Sequence, residues 1–390
     1  MDLITRGNNV IMETYKRFPL VFDKGQGCVL TDHEGKEYLD FVAGIAVDAL
    51  GHSHPGLLAA MQTQMEKLVH ISNLYWSEPG IELAEMLTKA SGLDKVFFCN
   101  SGAEACEAAL KLCRVYGKLK KNKEAVEIIA MEQSFHGRTY AAITATGQPK
   151  YQENLEPLMP EISHVPYNDI DALKAQISPK TCGIILEPIQ GEGGIYPADL
   201  DYLKEVRKIC DEQNIVLIFD EVQTGIGRSG KLFAYQQYGV VPDVVTMAKG
   251  LGGGVPIGGI IAKDHVAEVF TPGTHASTFG GNPFVTATAK YVIETLTAPG
   301  FFESVVEKGD YLKSKLEALK KDHPAIKEVR GMGLIVGAQI DADLGAIVAK
   351  AMEKGLLLIT AGSNAIRFVP PLVVSKAEID QAVQIFSECL

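Results

Sequence analysis

A chain of 390 residues, 46% hydrophobic and 22% charged, is long enough for two domains with sizeable cores and has neither a disordered nor a fibrous composition. Its formal net charge of -11 argues against nucleic acid or an anionic membrane as a partner, because both select basic surfaces. Seven cysteines with no Cys-x-x-Cys pair, no apolar signal region in Met1 to Arg6 and no apolar stretch of membrane-spanning length predict a reduced, cytoplasmic, untethered protein.

In chain order the first distinctive segment is Gly51-His52-Ser53-His54-Pro55. Its histidines read as hydrogen-bonded loop residues, since no cysteine or carboxylate stands at ligand spacing, and no metal is expected. From there apolar runs alternate with helical patterns. Val96 to Cys99, Val126 to Ala130, Cys182 to Leu186, Val216 to Phe219 and Val244 to Met247 read as strands, and Leu200 to Cys210 reads as a helix. This alternation predicts an α/β fold with a mostly parallel central sheet flanked by helices. Tyr291 to Thr297 looks like the end of a connecting helix, punctuated by Pro299-Gly300. Beyond it, Leu312 to Leu319, Gly333 to Val336 and Ala346 to Met352 suggest a smaller α+β domain that recruits the N-terminal segment. The expected division is residues 1–55 and 296–390 in the small domain and 56–295 in the large one.

Three places carry chemistry. After Val96 to Cys99, Asn100-Ser101-Gly102-Ala103-Glu104 reads as a strand, a turn and a helix N-terminus. Such a terminus can seat a phosphate on its N–H groups, and it equally fits a serine N-cap with Glu104 completing a capping box. The strand ending at Phe219 runs into Asp220-Glu221, and the strand ending at Met247 delivers Lys249 to a glycine-rich loop. In an open α/β sheet ligands bind beyond the carboxyl ends of the strands, so the acid and the amine can face one crevice. Pyridoxal phosphate needs that pair: a lysine to hold its aldehyde as an imine and a carboxylate to keep its ring nitrogen protonated. A rival class is a dinucleotide-binding oxidoreductase, because Gly225-Ile-Gly-Arg-Ser-Gly230 satisfies the Gly-x-Gly-x-x-Gly pattern. Against it, Asp220 to Thr224 intervene between the strand and the first glycine.

Ordered blocks along nearly the whole chain resemble the fold-type I, class III aminotransferases, and among them the acetylornithine aminotransferases. They include Gly51 to Pro55, Asn100 to Glu104, Ser134-Phe-His-Gly-Arg138, Glu187-Pro-Ile-Gln-Gly-Glu192, Phe219 to Gly225, Ala248-Lys249-Gly250, Ser277 to Pro283 and Arg367 to Pro371. The resemblance implies a pyridoxal 5'-phosphate enzyme with Lys249 as the cofactor-bearing base and Asp220 on the ring nitrogen. It implies Gln223 at the ring hydroxyl, Phe135 stacked on one ring face with His136 beside it, and Val222 on the other. Ser101, Gly102 and Ala103 would hold the phosphate, with Thr278 reaching in from a second subunit, so that a homodimer shares its active sites.

For the substrates, Arg138 and Arg367 each offer a planar fork suited to a carboxylate. The resemblance implies that Arg367 takes the α-carboxylate of glutamate and that Arg138 takes glutamate's distal carboxylate or the α-carboxylate of an ω-amino substrate. Glu192 would mask Arg367 when no second carboxylate is present, and Tyr15 matches a substrate contact. The implied reaction converts N-acetylornithine and 2-oxoglutarate to N-acetylglutamate 5-semialdehyde and glutamate by a ping-pong route, a step of arginine biosynthesis. Ile45 stands where ornithine aminotransferases place a tyrosine, which weakens the free-ornithine reading. Asp48 departs from the uncharged residue expected there. Ornithine, succinylornithine, succinyldiaminopimelate and GABA remain as alternative amino donors.

Overall fold

The structure, a computed structural model, describes residues 2–390. Its centre is a seven-stranded sheet in the spatial order Lys95–Cys99, Gly258–Ala262, Val244–Met247, Val216–Asp220, Thr181–Leu186, Glu127–Met131, Ile162–Val165. All neighbours run parallel except Gly258–Ala262, which is antiparallel to both of its partners. Successive strand residues point to opposite faces, and the core divides accordingly. Ile184, Leu186, Leu217, Phe219, Val245 and Met247 belong to one buried cluster, whereas Ile185, Val216, Ile218 and Val244 belong to the other. A sheet covered on both sides takes apolar residues at most positions, which is why its central strands read as apolar runs.

Helix Gly102–Tyr116 covers the second face with a stripe of small residues that includes Ala105, Ala108, Ala109 and Cys113. The small stripe lets helix and sheet approach closely: a Cβ at Gly183 would lie 2.1 Å from Cys113 Sγ. Leu200–Gln213, the predicted helix with one further turn, packs Leu203, Val206 and Cys210 on the other face. It ends at Asn214, whose left-handed φ of 53° stops the helix as a glycine would.

The rest of the chain forms smaller sheets. Glu37–Asp40 pairs in parallel with Leu356–Leu357, so N- and C-terminal segments share one sheet. Ile326–Met332, Ile335–Ile340, Ala365–Phe368 and Ile359–Ala361 form an antiparallel sheet beside the helices Phe301–Leu319 and Lys376–Ser387. Here the sequence reading differs from the structure. Gly333-Leu334 is the hairpin turn rather than the start of a strand, and Gly333 has a φ of 56°. Helix Phe301–Leu319 passes so close to that turn that a Cβ on Gly309 would sit 2.1 Å from Gly333 O. No helix among the described residues is long and apolar enough to cross a membrane.

Candidate active site

Parallel pairing sets Asp220 opposite Thr246 and brings the carboxyl ends of five strands to one edge. Because Gly258–Ala262 runs the other way, it is its amino end, Gly258, that pairs with Cys99 at that same edge. A cavity of about 440 Å³ opens there. Lining it are Ser101, Gly102, Ala103, Phe135, His136 and Arg138 from the earlier strand ends, and Asp220, Val222, Gln223 and Lys249 from the later ones.

Asp220 is only 3% exposed yet fully engaged. Its Oδ1 accepts from Val222 N at 3.0 Å and Thr246 Oγ1 at 2.9 Å, while its Oδ2 lies 2.6 Å from His136 Nδ1 and 3.3 Å from Cys106 Sγ. Burial alone would raise its pKa, but the His136 contact and the Val222 N–H overcome it and hold the carboxyl below the usual range. Cys106, His136 and Asp220 offer donor atoms within 4.8 Å of one another, a spacing a metal could use, but the contacts present are hydrogen bonds converging on the carboxylate.

Lys249 opens a single 3-10 turn, Lys249–Leu251, with a φ of 44°, a left-handed conformation that is strained for a lysine. Burial lowers its pKa; Glu192 pulls it back up, and Arg367 pushes it down again. The net effect brings the neutral, nucleophilic amine closer to physiological pH.

Arg367, on strand Ala365–Phe368, is fully buried. Its Nη1 donates to Glu192 Oε1 at 2.5 Å, to Gln223 Oε1 at 2.9 Å and to Gly191 O at 3.2 Å. Gln223 Nε2 in turn donates to Glu192 Oε1 at 3.2 Å. Glu192 would be raised by burial, but the charges of Arg367 and Lys249 leave its pKa below the usual value. Arg367 Nε and Nη2 find no hydrogen-bond partner although both are buried. Two unpartnered guanidinium nitrogens mark a place prepared for an acceptor. Arg138 is exposed at the cavity, its guanidinium 4.1 Å from the Tyr151 ring centroid and 5.8 Å from that of Phe135.

Four of the expected residues are not on the wall of this cavity: Glu192 and Arg367 meet it through Gln223, whereas Tyr15 and Thr278 lie apart. Tyr15 is 71% exposed, with the Arg17 guanidinium 5.4 Å from its ring. Thr278 lines a separate cavity with Leu74, Trp76 and Pro283. The Gly225 to Gly230 motif lies in a run of turns, and the helix after it, Tyr235–Tyr238, has only four residues, so it forms no strand-to-helix phosphate loop.

Sequence reasoning missed Glu187, Thr246 and Cys106. Glu187 is buried, lines the cavity and accepts from Phe135 N and Gly191 N, both at 3.0 Å; burial pushes its pKa up to about 7. The only available signal for Glu187 was an acid following an apolar strand, the pattern that did reveal Asp220. Ser101 caps its helix by accepting from Glu104 N at 3.2 Å, but Glu104 turns to Asn100 N, at 2.8 Å, and not to the cap, so the expected capping box is only half formed.

These residues fit pyridoxal phosphate. The opening turn of Gly102–Tyr116 supplies helix N–H groups for a dianion, and a Cβ at Gly102 would come within 2.6 Å of Val222 Cγ1, so only glycine leaves this wall intact. A charged acid and an amine of lowered pKa share the same cavity.

Comparison with known proteins gives the same answer. The class-III aminotransferase family model matches residues 10–390. The chain is 54% identical over 389 residues to an acetylornithine aminotransferase of Caldanaerobacter subterraneus, covering 100% of this chain and 99% of that protein. It is 52% identical to the acetylornithine aminotransferase of Clostridium acetobutylicum, covering 97% and 98%. Among solved structures, the ornithine aminotransferase of Toxoplasma gondii superposes with a TM-score of 0.95 at 32% identity, covering 99% of this chain and 93% of that one. The N-acetylornithine aminotransferase of Stenotrophomonas maltophilia superposes with a TM-score of 0.86 at 36% identity, covering 99% and 98%.

Proposed function

This chain belongs to the class-III aminotransferases, and from that premise we propose that it exchanges the terminal amine of an N-acylated ornithine, N-acetylornithine first, for the keto oxygen of 2-oxoglutarate. The observation that carries this reading is one cavity that joins a buried acid, an amine of lowered pKa and, through Gln223, a buried arginine with two unpartnered nitrogens. The product pair is glutamate and an acylated semialdehyde, a step toward arginine.

Pyridoxal phosphate, the cofactor of this family, supplies when bound an aldehyde that takes up amines and a ring that withdraws electrons. Ser101, Gly102 and Ala103 would hold its phosphate, Phe135 and Val222 would flank its ring, Gln223 would meet its hydroxyl and Asp220 its nitrogen, with His136 fixing the acid. Lys249 would anchor it, and its amine would serve as the base that takes the proton from the amine-bearing carbon of the substrate. Arg367 binds the α-carboxylate of glutamate through the face not occupied by Glu192. Arg138 binds the second carboxylate, or the only one when the ω-amino substrate is seated and Glu192 keeps Arg367 neutralised.

The enzyme works as a homodimer in the cytoplasm. Leu74, Trp76 and Phe279 are 85%, 88% and 62% exposed on one face beside Thr278, a patch suited to a second copy that brings Thr278 to its neighbour's cofactor. Tyr15 completes the substrate pocket in that assembly.

A panel of amino donors assayed against 2-oxoglutarate tests the substrate. N-acetylornithine is expected to give the highest kcat/KM; a clear preference for free ornithine, GABA or succinyldiaminopimelate would overturn the assignment. The K249A variant is expected to lose turnover while retaining bound cofactor.

A further inference from the structure

The segment before the Gly51 to Pro55 motif has an unusual backbone. Ala43, Gly44, Ile45 and Ala46 have φ of 49°, 63°, 65° and 63°, a left-handed turn in which three residues carry a Cβ. This conformation is unfavourable for L-residues, above all for a β-branched one such as Ile45, so its surroundings must impose it.

Two restraints do so. Val47 N and Asp48 N donate to Ala43 O at 2.7 and 3.0 Å, closing the turn on itself. At its entrance Asp40 Oδ1 accepts from Val42 N at 2.9 Å and Ala43 N at 2.8 Å. Asp40 is 2% exposed, and its other oxygen lies 2.8 Å from His52 Nε2. His52 is itself pinned, since it exchanges backbone hydrogen bonds with Gly27 at 2.8 and 3.0 Å. Its pKa is raised by the Asp40 hydrogen bond against the effect of burial, with Asp48, 4.0 Å away, adding to the rise.

The turn feeds directly into the active site. Val47 lines the cavity of Lys249, and Ala49 packs against Gly250, where an added Cβ would be 3.8 Å from Ala49 Cβ. We propose that His52 is a positioning residue: through Asp40 it holds residues 43–46 in the left-handed turn and thereby fixes the cavity wall that Val47 provides. The histidine motif thus acts on the active site at one remove, as a clasp on a strained loop.

The test compares H52M, which keeps the volume but removes the donor, with H52Q, which keeps a donor, each as holoenzyme. In H52M, amide hydrogen exchange at Val42 and Ala43 is expected to accelerate about 10-fold while that of Val245 to Met247 is unchanged. The apparent KM for the ω-amino substrate is expected to rise about five-fold with kcat little altered, and H52Q to restore both. A merely structural role would lower the melting temperature without this split. The KM arm rests on the aminotransferase reading, whereas the exchange arm does not, so the two can fail separately. Wild-type exchange at Val42 and Ala43 in folded H52M would overturn the proposal. If H52M does not fold, H52A gives the second test, because it removes the ring nitrogen that meets Asp40 and leaves the backbone bonds to Gly27 in place. Unchanged exchange there would overturn the proposal equally.

Discussion

At Asp220 burial and hydrogen bonding pull in opposite directions, and the hydrogen bonds win. A group with a depressed folded pKa adds stability above its unfolded pKa, about 3.9, and loses it as pH falls through the lower folded value. Asp220 should therefore stay charged from about pH 8 to pH 5, and a change in wild-type cofactor retention across that range, followed by absorbance after gel filtration, should trace to Glu187 and vanish in E187Q. D220N should lose turnover by on the order of 10²-fold or more, since a neutral amide cannot hold a protonated ring nitrogen. Turnover close to wild type would remove Asp220 from its role. R138A should raise KM for both substrates by about 10-fold or more, the worth of a charged hydrogen bond, and an unchanged KM would place the carboxylate elsewhere. Asp220 and Lys249 were legible in the sequence because each ends an apolar strand and enters a polar or glycine-rich loop. Cys106 was legible only as a core residue. Its contact with Asp220 depends on the rotation of a helix across a sheet, which no local pattern encodes.

Among the elements, the central parallel strands were readable because burial on both faces leaves them mostly apolar, Thr246 being polar where it meets Asp220. Strand Gly258–Ala262 was not, because its two leading glycines read as loop. Each serves a close approach: an added Cβ would lie 2.4 Å from Ser101 O at Gly258 and 2.6 Å from Phe97 O at Gly259. The same tightness makes Gly183 a test of helix-to-sheet packing. G183A should destabilise the protein by about 1–3 kcal/mol in denaturant unfolding, and C113A in the same chain should recover most of that loss by removing the clashing sulfur. Additive losses in the double variant would show that the strain lies elsewhere.

For the molecule as a whole, the sequence carries the α/β architecture in its alternation of runs, but the position of Thr278 outside the Lys249 cavity follows only from the assembled fold. The shared site proposed for a dimer would make activity depend on association. W76E places a charge on the exposed apolar face and should convert dimer to monomer in sedimentation, with activity falling by about 10-fold or more as the interface loses an aromatic anchor. A fully active monomer would refute the shared site. The chemistry of the site turns, however, on which amine holds the cofactor. Borohydride reduction of the holoenzyme followed by peptide mapping should place the pyridoxyl label on Lys249 alone; a label on any other lysine, or none at all, would contradict it.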